Sequence, residues 1–203
     1  MVERNVFRSC IVAAVLSFGA ALLAQNPAEP TAYTVTVQFT ITGIATQTTY
    51  RLGSMVLVDT HPPDKTHKPT RTLYNLQTME SLQWDPTDPA ASCVRREFHP
   101  ADRLDFFDSG QDLTRKDIQH VGKETIHGIA TEILEKRDHP DSFFRLWVDP
   151  KTGLMLKCLL ISKKRGTPVL FYEVTDVSFT KPPTSIFETP ASCNSAVKEP
   201  SPK

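Results

Sequence analysis

The chain has little of what most catalytic sites are built from. Only 8 of its 203 residues are glycine and none of them cluster, so no loop is present of the kind whose backbone amides cradle a phosphate. No Gly-x-Ser-x-Gly step occurs, which removes the nucleophile elbow of a serine hydrolase. No His-Glu-x-x-His step occurs either, so a zinc pair carried on one helix is excluded. The 4 cysteines form no Cys-x-x-Cys pair, which argues against a dithiol redox motif. Charge of one sign is also missing. There are 23 basic and 23 acidic side chains without a block of either, a balance that opposes general electrostatic binding to DNA or RNA. No internal repeat and no second domain boundary interrupt the chain. Together these absences predict a protein that is not an enzyme and has no cofactor, metal or nucleic-acid partner.

What is present begins with an export segment. Arg4 and Arg8 precede the run CIVAAVLSFGAALLA from Cys10 to Ala24. A basic start, a short apolar run and a small residue at its end read as a signal peptide over residues 1–24. Cleavage is placed after Ala24, with Ala28 as a second option. A retained membrane anchor is the alternative, but the run falls short of the roughly 20 apolar residues that a span requires. A bacterial lipid anchor needs a cysteine just after such a run, and Cys10 lies before it. Cleavage leaves 179 residues with 21 basic and 22 acidic side chains, which suits one domain with a substantial core. The mature chain is then expected in the periplasm or outside the cell, and not as an integral membrane protein.

Residues 25–31 form a short flexible lead-in, and the rest is dominated by strand signals. Tyr33, Val35, Val37, Phe39 and Ile41 alternate with Thr34, Thr36, Gln38, Thr40 and Thr42, the period of a strand with one buried face. Further strands are predicted over 47–52, 54–59, 71–76, 79–84, 93–98, 122–126, 129–136, 143–149, 154–163 and 167–179. Asp149-Pro150-Lys151-Thr152-Gly153 is a hairpin turn, in which Pro150 presets φ and Gly153 accepts the left-handed position. The strands after residue 142 carry apolar residues on both faces, with Trp147 opposite in phase to Phe144, Leu146 and Val148; a sheet does this when both faces are covered. Residues 99–120 are irregular and too long for an idle connection. They are expected to form a packed flap that docks Phe106 and Phe107 on the sheet. The domain is placed at 32–193 and a disordered tail at 194–203.

Cys93, Cys158 and Cys193 remain after cleavage. Cys158 shares its alternating set with Leu154, Leu156 and Leu160, and so is expected to be a buried free thiol. Cys93 and Cys193 both stand in Ala-Ser-Cys at segment edges. They are expected to form a disulfide that ties the C-terminal segment to the sheet. Weak metal signals occur at His61, Asp64 and His67, and at Asp105, Asp108 and Asp112 around Gly110. The first set lacks the three or four fixed ligands of a zinc site, and the second lacks the calcium-loop spacing. Both read as solvated loops.

The segment from Val121 to Pro190 runs VGKETIHGIATEI, FFRLWVDPKTGLMLKCLL, LFYEVTDVSF and IFETP. This order resembles the LolA-like superfamily of periplasmic lipoprotein carriers and related exported proteins. The likeness is carried by the Gly-x-Glu-x-x-x-Gly step, the Leu-Trp-Val-Asp-x-x-Thr-Gly-Leu hairpin and the closing Phe187-Glu188-Thr189-Pro190. It covers about a third of the chain and implies a mainly β fold. The form implied is a strongly curved antiparallel sheet, or half-barrel, with one or two short helices or a flap covering an apolar cavity. The function expected is binding of a lipid, an acyl chain (as of a lipoprotein) or another hydrophobic ligand in the concave face. Phe39, Phe106, Phe107, Trp147 and Phe171 are the cavity candidates, being large, apolar and spread over elements that would meet. The alternative is an envelope interaction or sensor module whose sheet docks a partner protein.

Overall fold

The computed structural model describes residues 30–40, 46–64, 66–88, 90, 92–99, 106, 118–162, 164 and 166–198. The segment expected to be a signal peptide, residues 25–29 of the lead-in, Phe107 and the acidic residues Asp105, Asp108 and Asp112 lie outside the described residues. The strands are β1 (Ala32–Phe39), β2 (Thr46–Leu52), β3 (Met55–His61), β4 (Thr70–Asn75), β5 (Glu80–Trp84), β6 (Val94–Glu97), β7 (Ile118–Ile126), β8 (Ile129–His139), β9 (Ser142–Val148), β10 (Met155–Ser162), β11 (Val169–Ser178) and β12 (Val197–Lys198). They form one sheet in the order β12-β6-β5-β4-β3-β2-β1-β11-β10-β9-β8-β7. All neighbours are antiparallel except the two-residue pair of β12 with β6. The sheet does not close, and the architecture is the curved half-barrel that the sequence predicts. Among the described residues the only helical elements are two 3₁₀ turns, Thr184–Phe187 and Ala191–Ser195. No described helix is long and apolar enough to cross a membrane.

Local sequence explains the turns. Asp149 accepts the Gly153 amide at its carbonyl, 2.8 Å. Its side chain accepts from the Lys151 amide at 2.9 Å and from the Thr152 hydroxyl at 2.7 Å, while Gly153 takes φ +74°. The β7–β8 turn puts His127 and Gly128 at φ +50° and +79°, the two positive-φ residues of a tight hairpin whose twist matches its strands.

The strand ladders differ between the two halves of the sheet. From β1 through β2, β3, β4 and β5 to β6 every ladder is regular. From β1 through β11, β10, β9 and β8 to β7 every ladder contains a register shift. A bulge bends its strand and increases the local twist, so this half supplies the devices that curve the sheet.

The two halves gather their main hydrophobic clusters on opposite faces, although Val56 and Val58 of β3 are also buried on the inner face. Tyr33, Val35, Val37 and Phe39 of β1, with Tyr172 and Val174 of β11 and Leu156 and Cys158 of β10, form the main core on the inner face. On the outer face, Leu57 and Leu73 stand opposite each other and Leu82 stands beyond them. They pack with Trp84, Tyr50, Ile186, Phe187 and Ala196 around the joined Cys93 and Cys193. The two 3₁₀ turns thus roof the outer face of the regular half. The sulfurs of Cys93 and Cys193 are bonded, with Cα atoms 4.9 Å apart, and Cys158 is a buried free thiol.

The tail departs from expectation. Asn194 and Ser195 complete a 3₁₀ turn, and Val197 and Lys198 pair in parallel with Val94 and Arg95. Residues 194–198 are therefore not a disordered tail. The disulfide holds the chain beside β6, so the residues just after Cys193 fall into line with those just after Cys93. Alternation cannot reveal such a two-residue parallel pairing.

Candidate functional site

The inner face of the bulged half carries an aromatic cluster. β1 alternates strictly and so delivers Phe39 inward at its end. Phe39 stands opposite Tyr172 on β11, and Tyr172 opposite Cys158 on β10. The next strand continues the row, with Cys158 opposite Leu146 and Leu146 opposite Leu134. The β10–β11 shift falls between Cys158 and Leu159, which leaves Phe171 as the extra residue of β11. Instead of alternating away, its ring lies 6.1 Å from that of Tyr172 and 6.3 Å from that of Phe144. The bulge thereby gathers adjacent aromatics on one side.

Phe106 enters this cluster from outside the sheet. Its ring lies 6.1 Å from Phe39 and 5.4 Å from Tyr172, where it meets the tyrosine edge-on. Its carbonyl accepts the Met155 amide at 2.7 Å. Phe39, Phe106 and Tyr172 thus form a mutually touching trio, since Phe39 and Tyr172 are themselves 6.0 Å apart. Aromatic pairs at such distances and tilts are favourable beyond the area they bury.

Of the five cavity candidates, Phe39, Phe106 and Phe171 come together here. Trp147 belongs to the same contiguous cluster but enters it differently. It stands opposite Ile133 and Lys157, out of phase with Leu146. Its indole donates to Glu124 at 2.6 Å, and the Lys157 ammonium lies 5.4 Å from its ring centre. The fifth candidate, Phe107, is not among the described residues. Two site residues were missed, Tyr172 and Phe144. Both were legible as inward positions, because Tyr172 alternates with Val174 and Phe144 with Leu146.

The cluster is strongly nonpolar electrostatically. Burial pushes the Cys158 thiol up to about 12. Burial, and then the neighbouring Cys158, push the Tyr172 hydroxyl still further above its ordinary value. Neither group is poised to act as an acid or base near neutral pH. On the same half of the sheet, Glu135 is a deeply buried carboxylate with charged partners. Burial raises its pKa, but bonds from Arg137 and Arg145 outweigh this and leave it below the ordinary value. Arg145 Nη2 lies 2.7 Å and Arg137 Nη2 2.6 Å from its oxygens, so Glu135 is held ionised in a structural clasp.

Three grooves formed by described residues lie elsewhere. The largest, about 360 Å³, runs along Thr72, Tyr74, Ser81, Gln83, Arg96, Glu97 and Phe98 on the regular half. Register places Thr72 and Gln83 in the same cross-strand row as Val35, Thr49 and Val58, so this groove continues the inner face in polar form. Another, of about 220 Å³, lies by Lys123, Glu124, Glu132 and Pro150, and a third, of about 160 Å³, by Met55, Leu73 and Arg95. Of the first histidine pair, His67 joins Asp64 at 3.0 Å in an exposed loop that Thr66 also caps. No group of three or more metal-ligating side chains gathers among the described residues.

No family model matches the chain, and no curated protein matches it. Its fold is similar to that of an uncharacterized conserved protein from Thermus thermophilus, at 14% identity and a TM-score of 0.56, over 83% of this chain and 91% of that one. Other similar solved structures include MucB in the Pseudomonas aeruginosa MucA/MucB complex, at 20% identity and a TM-score of 0.41, over 80% of this chain and 56% of that one. The chain thus spans little more than half of that protein. A LolA superfamily protein, NE2245 from Nitrosomonas europaea, is also similar, at 13% identity and a TM-score of 0.35, over 82% of this chain and 94% of that one.

Proposed function

We propose that the protein is an exported, non-enzymatic binding protein that takes up a lipid, an acyl chain or another apolar molecule on the inner face of its half-barrel. The observation that carries this reading is the insertion of Phe106. A single ring from outside the sheet packs onto the touching pair Phe39 and Tyr172, in a curved and unclosed sheet. An apolar ligand would take the place of that ring and meet the same aromatic floor. Ligand sites are concave and mostly apolar with few polar groups, and the raised Cys158 and Tyr172 fit binding better than proton transfer. The test is native mass spectrometry of protein recovered from the exported fraction of cells. A lipid adduct that organic extraction removes is expected. Lipid-free protein that also fails to bind a fluorescent fatty acid after extraction would sink the reading.

The second reading, an envelope interaction module, has one observation in its favour. Among the described residues no strand lies beyond β7, and Gln119–Thr125 of that strand are exposed. An open edge is a template for an added strand from a partner. Under this reading Lys123→Pro would abolish partner capture and leave lipid content unchanged.

A further inference from the structure

Among the described residues, two buried polar atoms on the inner face near the end of β1 lack a hydrogen-bond partner. They are the Tyr172 hydroxyl and the carbonyl oxygen of the Gln47 side chain. Tyr172 is 6% and Gln47 1% exposed. The Gln47 amide nitrogen donates to Thr49 at 3.3 Å, which leaves its oxygen unmet. Gln47 stands opposite Val37, one inward step from Phe39, and Tyr172 stands opposite Phe39 on the other side of β1. Tyr172 is therefore the cross-strand neighbour of Phe39, the residue against which Phe106 packs, and Gln47 lies one inward step away along β1. Buried polar groups nearly always find partners, and leaving one unmet is costly.

We infer that the Tyr172 hydroxyl is the polar anchor of the cavity and donates to the carbonyl oxygen of an uncharged acyl ester or amide. The inference rests on the reading of the inner face as a ligand site. A tyrosine hydroxyl without an acceptor calls for an oxygen lone pair. The surroundings select its kind. The rings that touch Tyr172 are Phe39, Phe106 and Phe171, and Cys158 faces it across the ladder. A carboxylate brought there would be desolvated among rings and a thiol rather than met by a cation from the described residues around Tyr172, which is costly. An ester or amide carbonyl carries no such penalty. The preferred ligand is therefore a chain in which the acyl group is already esterified or amidated, rather than a free fatty acid. The hydrocarbon lies where the Phe106 ring now sits.

The experiment compares three fluorescent probes on the full mature chain at about pH 7.5: cis-parinaric acid, its methyl ester, and the hydrocarbon diphenylhexatriene. Wild type and Tyr172→Phe are titrated with each. The ester should bind wild type more tightly than the acid. Tyr172→Phe should weaken the ester about 5- to 10-fold, the size of one hydrogen bond, and leave the hydrocarbon unchanged. The substitution removes an unmet polar group, so the variant should melt no lower than wild type. A lowered melting temperature would show that the hydroxyl already has a partner within the protein, and would overturn the inference. So would an equal effect of the substitution on ester and hydrocarbon, or tighter binding of the acid. Failure of all three probes to bind wild type would instead overturn the ligand-site reading itself.

Discussion

The two halves of the sheet are built from the same kind of strand and end in different states. Between β1 and β6 the ladders are regular, a hydrophobic cluster around Leu57 and Leu73 lies on the outer face, and a disulfide fastens the chain that covers it. Between β1 and β7 every ladder is shifted and the core lies on the inner face. There the cover, among the described residues, is one phenylalanine held by one backbone hydrogen bond. The regular half is closed by covalent structure. The bulged half is covered, among the described residues, by a noncovalent contact. Under the proposed reading, the covalently fastened roof on one face leaves the opposite face, in the curved half, as the one where a ligand would replace protein.

That contrast can be broken at several points. The largest effect is expected from removing the Cys93–Cys193 bond, which closes a loop with a sequence separation of 100. In the chain-entropy model its loss costs up to about 4–5 kcal/mol. Urea unfolding of a Cys93→Ser, Cys193→Ser variant measures this. Hydrogen exchange should show opening confined to β5, β6 and β12, with β9–β11 protected as before. Next comes Leu57→Ala, which empties a fully buried site in the outer core and should cost about 2–5 kcal/mol. Phe106→Ala should cost less than Leu57→Ala, although it removes a larger side chain, because water or ligand can enter where it stood. Equal or greater loss at Phe106 would make that ring an ordinary core residue.

Acid sharpens the picture in the bulged half. Glu135 has a folded pKa held below its ordinary value of 4.5 by Arg137 and Arg145, against the opposing effect of burial. A depressed carboxylate contributes stability that is fully present above the unfolded pKa and is lost as pH falls through the folded one. Glu135→Gln should therefore lower stability at about pH 7 and flatten the decline below about pH 4.5, as read from melting temperature against pH. The smallest effect is kinetic. With its thiol pushed up to about 12 against an ordinary 9.0, native Cys158 presents, at about pH 8, a thiolate fraction on the order of a thousandfold below an exposed cysteine. Alkylation should be slow until the protein unfolds. Rapid labelling of native protein would place Cys158 outside the core.

Much of this was legible in the sequence, for reasons that differ by element. The strict alternation from Tyr33 to Phe39 has one physical reading, a half-buried strand, and β1 is where it was expected. The Asp-Pro-Lys-Thr-Gly turn carries its own chemistry. Trp147 out of phase with Leu146 correctly signalled that β9 is apolar on both sides. The placement of Phe171 was not legible, because a bulge adds a residue without changing composition and so reverses the face that counting assigns. The splitting of the core between opposite faces was also hidden. It depends on where the C-terminal turns fold back, and Ile186 and Phe187 carry no local mark of the strand they cover. Nor could periodicity show that Tyr172 and Gln47 would be left without partners, since that is a property of their neighbours in space.

The most direct test of the account sets the two faces against each other. Saturable binding of cis-parinaric acid methyl ester is measured on wild type, on Phe106→Ala and on Leu82→Ala, a partly buried position in the outer core. If Phe106 holds the ligand's place, its removal tightens binding several-fold, while Leu82→Ala leaves affinity unchanged. Binding that Phe106→Ala abolishes, or that both substitutions weaken alike, would contradict the claim that the inner face of the bulged half is the site.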